Sequence, residues 1–288
     1  MLSILKRRGK KKKSVSDDPE EREMTFVEHL EELRMHIIRS VLAIGAFAII
    51  IFFATKFVFE VIIFGPLDPE FPTYNFLCWI SELINVPSLC IQPVNPSMQT
   101  LDMGEAFLLH IKVCFIGGLV VAFPFVIWEL WKFIRPGLYE TEIKATRGVV
   151  AISSFLFMIG VCFGYFILAP FAINFLVGYQ LPMVNQDTSI IKAASYINYM
   201  IMFTMPSGIV FELPIIIFYL ARVGIVTPEG MRKYRRHSII GILLISAVIT
   251  PPDIMTQVIV AIPVYFLYEM SIGIAARQAK KRAKEMDE

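Results

Sequence analysis

At 288 residues, with 56% of them apolar, 18% charged and a mean hydropathy of +0.63, the chain is too apolar for an ordinary water-soluble globule and suits one compact membrane domain. A net charge of only +2 gives no ground for a nucleic-acid partner. What matters is where the charge lies: 24 of the 27 Lys and Arg fall in 6–39, 132–147, 222–236 and 277–284, on alternate connections between apolar runs. By the positive-inside rule those regions face the cytoplasm and the connections around 66–104, 179–195 and 251–254 face out. Both termini are then inside, and the number of spans is even.

Residues 1–23 carry a basic stretch from Lys6 to Lys13 with no apolar core behind it. This is unlike a cleaved signal peptide and reads as a flexible cytoplasmic tail attracted to anionic lipid. Next, Phe26, Leu30, Leu33 and Ile37 recur at helical spacing, with Glu28, Glu32 and His36 on another face, so a short amphipathic helix is expected at the interface. Apolar runs at 36–60, 105–133, 149–178 and 196–221 are each long enough to cross a hydrocarbon core about 30 Å thick. The first is followed by the connection 66–104, rich in proline and aromatic residues and free of Lys and Arg, which predicts an ordered cap with one short helix at 76–85. Its two cysteines, Cys78 and Cys90, lie on the oxidising side and could close a disulfide or remain free thiols; Cys114 and Cys162 are read as packing residues. Two shorter runs, 238–250 and 254–275, flank Thr250-Pro251-Pro252-Asp253. The first would reach only about 20 Å, but the basic clusters on both sides require a return trip. The expected fold is an all-α integral membrane protein: six transmembrane helices in a concave bundle over 24–277, both termini inside, and a charged tail at 278–288. Pro124, Pro170, Pro206, Pro214 and Pro263 should bend their helices.

Paired nucleophile and base, metal-ligand spacing and a glycine-rich phosphate loop are all missing from the sequence, so no enzyme, metal or cofactor is expected. His29, His36, His110 and His237 are scattered near span boundaries and read as solvated or interfacial. The carboxylates are more informative. Glu212 stands inside the fourth span, where an ion facing lipid costs several kcal/mol, about 2.5–3.5 on insertion scales. It should face protein or be protonated, with Gln257 as the natural polar partner. Glu31, Glu32 and Arg34 stand before the first span, and Glu140 and Glu142 on the next inward connection. They are either local charge balance or acceptors for two guanidinium groups. Glu129 and Glu269 could snorkel or pair with Lys132 and Arg277, while Lys112 should snorkel to the interface.

The segment His29-Leu30-Glu31-Glu32-Leu33-Arg34 resembles the opening motif of the TatC family, the C subunit of the twin-arginine (Sec-independent) protein translocase. Phe64-Gly65-Pro66-Leu67, the run from Trp128 to Tyr139, the Gly164-Tyr165-Phe166 tract, Phe211-Glu212-Leu213-Pro214, Thr250-Pro251-Pro252-Asp253 and Ala261-Ile262-Pro263 follow in the family's order. The resemblance covers about 24–277. It implies a six-helix receptor in the cytoplasmic (inner) membrane that binds twin-arginine signal peptides. With small single-span subunits of the TatA/TatB type, such a receptor passes folded cargo across using the proton-motive force, within a complex that is also homo-oligomeric. Carried over by motif, Glu32 and Glu142 receive the two arginines, supported by Arg34, Phe133, Pro136, Leu138 and Tyr139. Glu212 resembles the family's intramembrane acid, Thr250 and Gln257 the polar patch where partner helices dock, and Pro66 and Asp253 outward positions needed for shape. The rival readings are a proton-coupled carrier of small solutes that titrates Glu212, and a scaffold without a ligand.

Overall fold

The structure is a computed structural model that describes residues 26–85, 90, 97–135, 148–178, 190–250 and 254–287. Helix α1 (Phe26–Phe53) is one continuous helix, so the expected interfacial segment is the first turns of the first span. The face that carries His36 packs on protein instead of meeting water. Leu30 and Ile37 are exposed, whereas His36 is buried. Where the surroundings are hydrocarbon, apolar side chains lose nothing by facing out and polar ones need protein partners, so the polar stripe becomes the packing face.

After a turn, a π-helical stretch (Phe57–Ile63) and a 3-10 turn (Gly65–Leu67) lead to α2 (Pro72–Ile84). Irregular backbone strands carbonyls that a regular helix would use, and here hydroxyls supply the missing donors. Tyr165 donates to the Ile62 carbonyl and Tyr196 to that of Ile63, both at 2.7 Å. Tyr74 donates to the carbonyl of the fully buried Pro66, and Thr73 to that of Phe166, both at 2.6 Å. Phe71 stacks on Phe166, with ring centroids 5.5 Å apart. Helix α2 starts earlier than the expected 76–85 because Pro72 fits the first helical turn, and it ends at Asn85 in the left-handed region. Cys78 and Cys90 are joined in a disulfide.

Strand β1 (Ser97–Gln99) pairs in parallel with β2 (Ile190–Lys192), Ser97 opposite Ile190. This small ribbon, which hydropathy does not reveal, ties two connections together. Lys192 reinforces it with an ion pair to Asp102 at 2.6 Å and to Glu105 at 3.5 Å. The Asp102 hydrogen bond holds the Lys192 ammonium above its ordinary pKa, so this support is present at neutral pH and is lost only as pH rises through the lysine range.

Helix α3 (Glu105–Ile134) runs antiparallel to α1, as successive contacts show: Thr55 with His110, Ala48 with Gly118, His36 with Glu129 and His29 with Phe133. Helix α4 (Val149–Phe163) continues through a π-helical stretch (Gly164–Leu168) into α5 (Ala169–Gly178). Helix α6 (Ala193–Val210) crosses α4 at a glycine seam. A Cβ on Gly160 would stand 2.7 Å from the Ser207 carbonyl, and one on Gly164 would stand 2.5 Å from that of Phe203. The Gly160-x-x-x-Gly164 spacing is the small-residue motif that lets helix backbones touch. Phe157, Phe203, Leu168 and Ile197, on these elements, are among the most enclosed side chains.

The fourth run breaks at Phe211 and Glu212 into α6 and α7 (Leu213–Val223), with Pro214 in the first turn of α7. A short α8 (Pro228–Lys233), capped by the Thr227 hydroxyl on the Gly230 amide at 3.2 Å, leads into α9 (Arg235–Ile249). Helix α10 (Ile254–Asp287) runs on without a break through the segment expected to be a separate tail, and it packs along α7. Among the described residues five helices are long and apolar enough to cross a membrane: His29–Phe53, Glu105–Ile134, Val149–Gly178, Ala193–Arg222 and Thr256–Lys280. Helix α9 has 15 residues and falls short of that length.

Gly118 and Gly241 separate contact from helix propensity. A Cβ at Gly118 would lie 2.8 Å from the backbone of Ile44 and Ala48, whereas one at Gly241 meets nothing within 4 Å. Both are helical, so alanine brings the same intrinsic gain at each, up to about 1 kcal/mol. We expect Gly118→Ala to lower the thermal midpoint in detergent, by roughly 1–3 kcal/mol of overpacking, and Gly241→Ala to leave it unchanged or raise it.

Candidate functional site

The first turns of α1 and the last turns of α3 meet in a cluster of ionisable groups. Glu32, His36 and Arg39 recur at helical spacing on α1, and Glu129, Lys132 and Phe133 face them from α3. Glu129 is only 1% exposed, and a carboxylate so deeply enclosed must be paired. His36 Nδ1 lies 2.6 Å from Glu129 Oε2, Lys132 Nζ donates to Oε1 at 3.2 Å, and Arg39 stands 3.8 Å away. Lys132 also sits over the Trp128 ring, 3.3 Å from its centroid. The expected Glu129–Lys132 pair is present. The expectation that His36 is solvated is corrected: it is buried, because an enclosed carboxylate needs a donor from the facing helix.

Glu32 lies one turn before His36, its Oε1 4.0 Å from His36 Nε2. Its side chain is half-buried, and Oε2 is enclosed with no hydrogen-bond partner among the described residues. Arg34 is exposed on the same helix. Phe133 stacks on His29 at 4.4 Å and presents an edge to His36 at 6.2 Å, walling one side of the cluster. Pro136, Leu138, Tyr139, Glu140 and Glu142 lie outside the described residues, as does Asp253.

Glu212 occupies a second, separate position at the α6–α7 break. It is buried, and Ser153 of α4 donates to its Oε2 at 2.6 Å, while Oε1 has no partner among the described residues. The expected pairing with Gln257 is therefore corrected. Gln257 Nε2 donates to the Leu243 carbonyl of α9 at 3.1 Å, since α10 presents Gln257 to α9 while the break turns Glu212 toward α4. Thr250 is buried and donates to the Ser246 carbonyl at 2.9 Å, with the Ser246 hydroxyl enclosed and without a partner among the described residues. Near these groups an apolar groove of about 390 Å³ runs between Pro206, Ile209 and Val210 of α6 and Leu244, Ile245 and Val248 of α9. Glu269 pairs with Arg235 at 2.8 Å, not with Arg277, because α10 packs beside the start of α9. Lys112 donates to Asn198 at 2.5 Å and does not simply reach for water. Among the described residues no group of three or more His, Cys, Asp or Glu is placed to hold a metal ion.

The contacts of His36 with Glu129 and of Ser153 with Glu212 are ones that sequence reasoning does not find. The 32–36–39 spacing and the Glu129-x-x-Lys132 pair were visible, but nothing in one sequence says which two helices face each other. The family model for the Sec-independent protein translocase protein (TatC) matches residues 28–263. The chain belongs to the TatC family. A TatC of Blattabacterium from Periplaneta americana is 36% identical over 265 residues, covering 91% of this chain and 99% of that protein. The TatCy protein of Bacillus subtilis is 30% identical, covering 91% and 92%. A crystal structure of the twin arginine translocase receptor TatC in DDM superposes with a TM-score of 0.66 at 32% identity, covering 86% of this chain and 99% of that one. The apolar helices therefore belong to a multi-pass membrane protein of a protein translocase.

Removing the Glu129 carboxylate leaves His36 enclosed, but Arg39 and Lys132 still reach water, which limits the loss. Glu129→Ala should cost about 1–3 kcal/mol, read as a lower thermal midpoint in detergent, and Glu129→Gln should cost less.

Proposed function

We propose that this chain is the twin-arginine signal-peptide receptor and core subunit of a translocase that exports folded proteins across the cytoplasmic membrane, driven by the proton-motive force. The observation that carries the reading is Glu32: a half-buried carboxylate at the start of α1 with one oxygen lacking a partner among the described residues. Such a group is costly to leave unsatisfied, and a guanidinium supplies the two parallel donors that a carboxylate accepts best. Glu142, on the connection after α3, takes the second arginine, with Arg34 and the segment from Phe133 through Pro136, Leu138 and Tyr139 shaping the site. This puts both termini in the cytoplasm, with α9 as a short sixth span beside α10. The crystallised relative is itself described as the twin arginine translocase receptor, which supports the same role here. The chain acts as a receptor and not as an enzyme, and it works without a cofactor.

Glu212, Thr250 and Gln257 mark the region where single-span partners of the TatA/TatB type dock. The apolar groove between α6 and α9 offers lipid-facing surface for such a helix. Pro66, locked by Tyr74, and Asp253 keep the outer connections in shape for assembly with further copies of the chain. The test is titration of a peptide containing Arg-Arg against the purified protein in lipid nanodiscs. Glu32→Ala and Glu142→Ala should each weaken binding about tenfold or more, and added salt should weaken the wild type. The peptide should also crosslink to 26–34 or 133–142. Undiminished affinity in both variants removes the assignment.

A further inference from the structure

His36 lies between two carboxylates on different helices. An ionised carboxylate can only accept, so Nδ1–H of His36 donates to Glu129 Oε2 across 2.6 Å, and this bond fixes the plane of the ring. The Ser40 hydroxyl donates to the His36 carbonyl at 2.9 Å, and the Phe133 edge closes another side of the ring. With the ring so held, Nε2 can point only one way, and it faces Glu32 Oε1 at 4.0 Å. That separation is too long for a hydrogen bond, and it is an attractive ion-pair distance when the ring carries a proton on each nitrogen, as its place between two carboxylates favours. It is close enough to bias the Glu32 carboxylate toward the α1–α3 seam. The remaining charged groups of the cluster, Arg39 and Lys132, both stand at Glu129. Among these groups the one facing Glu32 is His36.

We infer that His36 is a positioning residue: clamped by Glu129, its imidazole, with a proton on each nitrogen, orients the Glu32 carboxylate as the acceptor for an arriving arginine. Glu129 is the anchor of this arrangement and does not itself meet the ligand. The inference rests on the reading of Glu32 as an arginine acceptor, and the experiment keeps the two apart.

An Arg-Arg peptide is titrated against the full-length protein in nanodiscs for wild type, Glu32→Ala, His36→Phe, His36→Gln and the double variant Glu32→Ala/His36→Phe. Phenylalanine fills the space between the helices without either nitrogen, while glutamine restores an N–H at the Nε2 position. His36→Phe should weaken binding about tenfold, as loss of a charge-assisted contact does, and His36→Gln should recover most of it. In the double variant the two losses should not add, because His36 acts only through Glu32. If Glu32→Ala has no effect, the reading of Glu32 as an arginine acceptor fails, and the positioning role with it. If Glu32→Ala weakens binding but His36→Phe does not, or if the losses add, or if glutamine fails to rescue while the thermal midpoint matches wild type, the positioning role is overturned.

Discussion

A carboxylate enclosed between two helices, Glu129 with only 1% of its surface exposed, is the constraint around which one end of this molecule is arranged. Left alone it could not remain ionised in such a place, so the facing helix has to bring donors to it. His36 and Arg39 come from α1 and Lys132 from the turn that follows, which fixes both the pairing and the axial register of α1 on α3. Farther along, the same register brings Gly118 against Ala48 and His110 against Phe52 and Thr55. The ion cluster and the glycine contact are complementary: one specifies which turns meet, and the other lets the backbones close.

The same logic recurs at the opposite end with neutral groups. Proline and π-helical turns free the carbonyls of Ile62, Ile63, Pro66 and Phe166, and three tyrosines and a threonine take them up. The short connection between α1 and α2 thus has these carbonyls satisfied even though its backbone is irregular. Burial raises the Tyr74 phenol above its ordinary pKa, which keeps it a donor at any pH the cell offers.

Much of this was legible in the chain. Span positions follow from apolar run length, and the TatC resemblance from motifs in fixed order; the runs at 105–133 and 149–178 match α3 and the α4–α5 unit within a residue or so. Partner identity was harder. Periodicity located the Glu32–His36 face on α1 but left it to water or the interface, because one sequence does not show that α3 packs against it. Gln257 was paired with Glu212 on chemistry alone, and the α6–α7 break at Phe211 and Glu212 turns the carboxylate to Ser153 instead. The Gly160-x-x-x-Gly164 seam was present in the sequence as a spacing, yet its meaning depended on a facing helix that one sequence does not name. A three-residue parallel ribbon is too short to leave any hydropathy signal.

That ribbon bears on how the body can move. By stitching the strand ahead of α3 to the strand ahead of α6, it makes the N-terminal ends of two long helices travel together, with the Lys192 ammonium bolted across Asp102 and Glu105.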